Sequence, residues 1–341
     1  MTVNQYRLRP YALADSQDVV DTINAASVRT VGFPRAVVDA VGQVWSHRFV
    51  PFSSEKVVAV NGHNQVIGYA CFTNSDHNIV AETGGAVHPD HWNQGIGTAL
   101  LQWAEERAHE TGRLAPVGAR TVLQASPYEM ETDLITLLKE RGYSAVREWV
   151  HLVIELTEPP VVRALLPGLM LRTMDLDNDW DIVGPAMDEA FADHWGSLPE
   201  ELLGNETSTN TEKSGEEMPE QTSDESYSNA PGYCFIVLDG NTVAGGILCN
   251  AKLVERNDTG RVGSIFVRPA YRRRGIAQTL MLTAFEAFWK NGFRRVITDT
   301  DADSFTDSTR LYKGLGMRPY RSEFTYEKEI RPGKEVRRLE I

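Results

Sequence analysis

The sequence predicts an α/β (α+β) fold used twice in tandem, and three observations carry that reading. The length, 341 residues, leaves room for about two domains of roughly 150 residues each. Two opening segments match: "YRLRPYALAD" at 6–15 and "LMLRTMDLDN" at 169–178. So do two Gly-containing stretches, "VHPDHWNQGIGTAL" at 87–100 and "VRPAYRRRGIAQTL" at 267–280.

Each copy is read through the same series of elements. Its opening strand is followed by a helix-like segment. Paired strands come next, in "VVAVNGHNQVIGYACF" (57–72) and "FIVLDGNTVAGGILCN" (235–250), where Asn61-Gly62 and Asp239-Gly240 are hairpin-turn dipeptides. The Gly stretch then leads into a helix. In the second copy Ile276, Leu280, Met281, Ala284, Phe285 and Phe288 fall at helical spacing, and Gly292 supplies the stop. A short helix and further strand close each copy, in "LITLLKERGYSAV" (134–146) and "STRLYKGLGMRPY" (308–320).

These matches set domains at 1–157 and 169–330, with a proline-bearing linker at 158–168 and a tail at 331–341. The offset between copies is 163 residues from Leu8 to Leu171 and 180 from Val87 to Val267. The 17 extra residues, 180 minus 163, are assigned to the polar, acidic stretch 205–226, expected to be a mobile surface loop.

Composition narrows the function. A net charge of −13 argues against general affinity for nucleic acid or anionic membrane, so any polyanion site must be local. Cys71, Cys234 and Cys249 have no metal-type spacing and read as buried free thiols in a reducing cytoplasm. The polar amino end does not read as a signal peptide, and no apolar run approaches the roughly 18 residues of a membrane span. A cytoplasmic protein with no membrane or nucleic-acid partner and no metal is expected.

The local exception to the negative charge is Arg268, Arg272, Arg273 and Arg274. The strand-like "GSIFV" (263–267) runs through this turn into the helix that begins near Ile276. First-turn N–H groups lack intrahelical partners, the helix dipole is positive there, and Gly275 admits a ligand close to the backbone. On the residues alone the turn is either a pyrophosphate cradle or a basic surface turn capping a helix. Neither the G-x-G-x-x-G dinucleotide fingerprint nor the P-loop pattern fits.

The run Arg272-Arg273-Arg274-Gly275-Ile276-Ala277, preceded by Val267 and Pro269, resembles the [RQ]-x-x-G-x-[GA] motif of the GNAT superfamily of acetyl-CoA-dependent N-acetyltransferases. "SFTDSTRLYKGLGM" (304–317) is similar to that family's later signature. The resemblance implies, for each domain, a mixed, mostly antiparallel sheet flanked by helices. It implies acetyl transfer from acetyl-CoA to a primary amine of a small molecule by direct attack in a ternary complex. Residues 272–277 would bind the CoA pyrophosphate, while Ile265, Phe266 and Val267 would line the pantetheine arm. The Val267 N–H would polarise the thioester oxygen and Tyr312 would act as general acid. Ser304 and Ser308 stand where the family usually has Asn and Ala, and both can hydrogen-bond near the CoA arm. The base stays open among Glu189, Asp193 and His194, with Glu323 a weaker option. A monomer or homodimer is expected.

The first copy departs from this pattern. Trp92 stands at the Arg272 position and Leu138 at the Tyr312 position, so it is expected to be catalytically incompetent. Weak CoA binding through Gly95 and Gly97, or packing alone, both remain open for it. The alternative for the whole chain is a non-catalytic acyl-CoA-binding or regulatory module.

Overall fold

A computed structural model describes residues 6–38, 44–46, 55–74, 76–199, 230, 232–251, 253, 256, 258–304 and 308–339. The expected acidic loop, 205–226, lies outside the described residues. The chain divides into two units, the first built from 6–148 and 323–336, the second from 149–199, 230–322 and 337–339.

In the first unit β1 (Tyr6–Pro10) leads to α1 (Ser16–Val31) and the small pair β2 (Ala36–Val38) and β3 (Val44–Ser46). Then follow β4 (Glu55–Asn61), β5 (Val66–Asn74), β6 (Val80–Val87), α2 (Ile96–Thr111), β7 (Thr121–Ala125), α3 (Thr132–Glu140) and the start of β8 (Ser144–Glu155). In the second unit β9 (Leu169–Thr173) leads to α4 (Trp180–Phe191), β10 (Phe235–Asp239), β11 (Thr242–Asn250) and β12 (Thr259–Val267). After these come α5 (Ile276–Lys290), β13 (Arg295–Asp301), α6 (Ser308–Gly314) and the start of β14 (Arg318–Arg331).

Each unit holds the mixed, mostly antiparallel sheet that was expected. The first is ordered β1-β4-β5-β6-β7 and the second β9-β10-β11-β12-β13. Within each, one neighbouring pair is parallel, β6 with β7 and β12 with β13. A parallel pair needs a crossover, which α2 and α5 provide. The sixth strand of each sheet comes from the opposite repeat. Glu155–Trp149 of β8 pairs with β13 in the second unit, and Tyr326–Arg331 of β14 pairs with β7 in the first.

Local chemistry explains the matching openings. Arg9 donates twice to Asp15, and Arg172 twice to Asp179, tying the first strand of each unit to the start of its first helix. The second hairpin turns at its dipeptide, with Gly240 in the left-handed region at φ 58°, whereas the first uses a longer loop between Asn61 and Val66 in which Asn64, not Gly62, is left-handed at φ 63°. The α5 face expected from spacing is the core of the second unit: Ile276, Leu280, Met281, Ala284, Phe285 and Phe288 are all at most 1% exposed. At Gly260 an added Cβ would lie 2.4 Å from the Phe288 ring, so glycine there allows β12 to sit close on α5. Cys71, Cys234 and Cys249 are buried thiols in no disulfide, and burial pushes the Cys71 thiol up to about 11. No helix among the described residues is long and apolar enough to cross a membrane.

Candidate active site

The site begins where two strands part. β12 pairs with β13 only from Thr259 to Arg261, while its pairing with β11 continues to Val267. Between these regions the β11 register shifts, Leu248 facing Ser264 and Cys249 facing Val262, which leaves Gly263 as an extra residue. Such a bulge bends and twists its strand. β12 therefore swings away from β13, and a cleft of about 850 Å³ opens along Gly263–Val267 and Thr298–Asp301. The β5–β6 pairing of the first unit has no such shift.

Backbone direction along the open edge is fixed by alternation. Arg268 N donates to Ala244 O on β11, so Val267, one residue back, turns its N–H and C=O toward the cleft. At the end of the strand Arg273 and Gly275 both take left-handed backbone, φ 63° and 79°. Thr279 N is bonded to Gly275 O, whereas the N–H groups of Ile276, Ala277 and Gln278 fall in the first turn of α5. These N–H groups and the positive dipole end make a seat for phosphate. The first unit repeats the backbone, with Asn93 at φ 59° and Gly95 at 79°.

Of the residues singled out in the sequence, Ile265, Phe266, Val267, Arg272, Arg273, Gly275, Ile276, Ala277, Ser304, Ser308, Tyr312 and His194 line this one cleft. Arg268, Arg274, Glu189, Asp193 and Glu323 do not. Arg274 lies over the Tyr271 ring, 5.2 Å from its centroid. Glu189 accepts from Arg268 Nε at 2.7 Å. Glu323 is buried in the first unit, where it bridges to Tyr128. Arg272 lies on the cleft wall, yet its guanidinium is bound to Asp193 at 2.6 Å.

Tyr312 sits on α6 and is 4% exposed. Its hydroxyl is pushed well above the ordinary phenol range, first by burial and then by the Asp299 carboxylate, with a hydrogen bond involving Thr298 opposing. It is thus held protonated, as a proton donor requires. His194 lies past the end of α4, with its ring edge-on to Phe191 and Nδ1 3.2 Å from Asp193 Oδ1. Burial pulls its imidazole below the usual range, and Asp193 only partly restores it. A neutral imidazole results at neutral pH. Ser308 Oγ and Thr300 Oγ1 are 2.7 Å apart, joining α6 to β13.

Sequence reasoning missed Asp299, Asp301 and Trp149, which also line the cleft. Asp299 and Asp301 alternate with Thr298 and Thr300 on β13, a period-two pattern visible in "TDTDAD". Trp149 carried no signal, because it reaches this unit on the strand from the other repeat.

The corresponding cleft of the first unit has a volume of about 530 Å³ and is lined by Trp92, Asn93, Gly95, Gly97 and Leu138. Leu138, at the Tyr312 position, is fully buried. Trp92 donates its indole N–H to Val87 O at 2.7 Å.

The model of the acetyltransferase (GNAT) family matches residues 30–120 and 198–317. The mycothiol acetyltransferase of Pseudarthrobacter chlorophenolicus is 26% identical over 248 residues, 71% of this chain and 68% of that protein. A GCN5-related N-acetyltransferase from Sphaerobacter thermophilus has a similar crystal structure, with TM-score 0.73 and 26% identity over 98% of this chain and 99% of that one. A tandem GNAT protein from the clavulanic acid biosynthesis pathway matches in fold, with TM-score 0.71 and 19% identity over 96% and 100% of the two chains.

Proposed function

The chain belongs to the acetyltransferase (GNAT) family, and from that premise we propose that its second unit moves an acetyl group from acetyl-CoA to a primary amine of a small molecule. One observation carries the reading: the forked strands, the phosphate-ready helix terminus and a buried, protonated tyrosine meet in a single cleft. The pyrophosphate would rest on the N–H groups at Ile276–Gln278, and the pantetheine arm would lie along Ile265–Val267.

At the acceptor end are His194, Trp149 and Asp301. The carboxylate draws in an amine that arrives as its ammonium form, and His194, oriented by Asp193, takes the proton from nitrogen. The neutral nitrogen attacks the thioester carbon, forming the C–N bond. Val267 N–H holds the oxyanion of the tetrahedral adduct. The C–S bond then breaks as Tyr312 gives its proton to the leaving thiolate; the acylated nitrogen sheds its remaining extra proton, which restores the Tyr312 phenol, and His194 returns its own proton to solvent. Direct attack in a ternary complex requires no acyl-enzyme.

The test is CoA release with a panel of small amines, for the wild-type chain and Tyr312→Phe. Loss of the acid is expected to lower kcat by about 10²–10⁴-fold. Full activity in the variant would remove Tyr312 from the mechanism. CoA binding with no turnover on any amine would favour a non-catalytic binding module instead.

A further inference from the structure

Arg272 opens the motif whose resemblance assigns it to pyrophosphate, but the donors of its guanidinium are engaged by the protein. Nε donates to Val267 O at 3.2 Å, Nη1 to Asp193 Oδ2 at 2.6 Å, and Nη2 to Ala190 O at 2.9 Å and Asp193 Oδ1 at 3.2 Å. One rigid planar group thereby joins the end of β12 to the C-terminal end of α4. Arginine suits this place: its fork pairs with a carboxylate in two-point fashion, and a cation is favoured where the helix dipole is negative.

The first unit shows which of these two attachments belongs to the shared fold. Trp92, at the matching position, bonds the matching strand-end carbonyl, Val87 O. Its indole offers a single donor. The first copy thus keeps the strand tether through one N–H, and the two-ended clamp belongs to the unit that also carries Tyr312.

We propose that Arg272 is a positioning residue rather than a phosphate ligand, fixing the end of α4, and with it His194, at a set distance from the Val267 N–H. The acceptor side and the thioester side of the cleft are thereby held in register. A misplacement of 1 Å at such a junction costs about 10²-fold in rate. The kinetic part of this inference rests on the acetyl-transfer reading; the clamp itself does not.

Among the described residues, the charged groups that act on His194 include Asp193 beside it, Arg272 from the turn and Asp301 from β13. Asp193 raises its pKa and Arg272 lowers it. The test follows the His194 imidazole by NMR in the full-length chain, with CoA affinity by calorimetry and steady-state kinetics beside it. Arg272→Trp copies the first unit, retaining the strand tether and releasing α4. Asp193→Asn, nearly isosteric, releases the same helix from the other side.

The His194 pKa is expected to rise in Arg272→Trp and fall in Asp193→Asn. Both variants are expected to lose about 30- to 100-fold in kcat/KM for the amine. Both should bind CoA within about threefold of wild type, because a lost charge-assisted bond to phosphate would weaken binding about tenfold or more. A large loss of CoA affinity in Arg272→Trp, with His194 and the amine parameters unmoved, would overturn the proposal. If Arg272→Trp fails to fold, Asp193→Asn decides the matter alone. If no amine is acetylated, the functional reading fails, while the NMR titration and CoA affinity still decide the clamp.

Discussion

Arg261, the last β12 residue paired with β13, is joined at 2.8 Å to Asp299, two residues past its partner Ile297. Their ion pair spans the fork from which the cleft opens. Asp299 also stands close enough to Tyr312 to raise its pKa, second only to burial.

This arrangement predicts an alkaline limb. A general acid must be protonated, so with Tyr312 as the proposed acid, activity is expected to fall as pH rises through its pKa, which lies above the ordinary phenol value of about 10. Replacing Asp299 by Asn removes the negative neighbour and should bring that limb down toward the ordinary value. A pH–rate profile, with ultraviolet titration of the phenol, reads the shift. An unmoved limb would mean that Tyr312 is not the acid.

With His194 as the proposed base, the acid side follows from its ionisation. A base must be deprotonated, and burial holds this imidazole below its ordinary range. The acid limb of kcat/KM for the amine is therefore expected below about pH 6.5, and His194→Gln should abolish that limb while lowering the plateau. The same pH–rate measurement on the variant checks it, and an unchanged limb would assign the ionisation to another group.

Gly275 is held at φ +79° with open space where a Cβ would stand. Gly275→Ala therefore meets no clash but takes on the left-handed penalty of an L-residue, about 1–2 kcal/mol. The prediction is a lower Tm together with weaker CoA binding, since relief of that strain moves the N–H groups of the cradle. Thermal melting and calorimetry on the same sample test both. Unchanged CoA affinity would detach the turn from phosphate binding.

Asp15 and Asp179 are held below the usual carboxylate range, chiefly by hydrogen bonds from Arg9 and Arg172. A depressed folded-state pKa adds stability that is present above the unfolded value, about 3.9, and is lost as pH falls through the folded one. Asp179→Asn is expected to destabilise the second unit by about 1–3 kcal/mol near neutrality and by progressively less below pH 4. Denaturant melts at two pH values give the comparison, and an equal loss at both would refute the linkage.

Much of this site was legible because its signals are local. The α5 face follows from spacing within one helix, and the left-handed Gly275 from one residue type between a strand and a helix. Arg272 was legible as part of a cationic turn, but its partner Asp193 lies 79 residues earlier, and no local pattern says which way a guanidinium turns. Gly263 looked like an ordinary strand glycine, since a bulge is defined by the partner strand's register. Likewise, Trp149 and Glu323 could not be allocated to units from hydrophobic period alone, because the period marks a strand and leaves its partner unstated.

The exchanged sixth strands mean that neither repeat is an excisable module. Severing the peptide within 158–168 is therefore not expected to yield two autonomous proteins. It would yield two incomplete sheets, each lacking the strand that the other fragment carries, and native folding would require the fragments to reassociate. Although the first repeat has Trp92 and Leu138 where the second has Arg272 and Tyr312, its β8 still supplies the segment that finishes the neighbouring sheet.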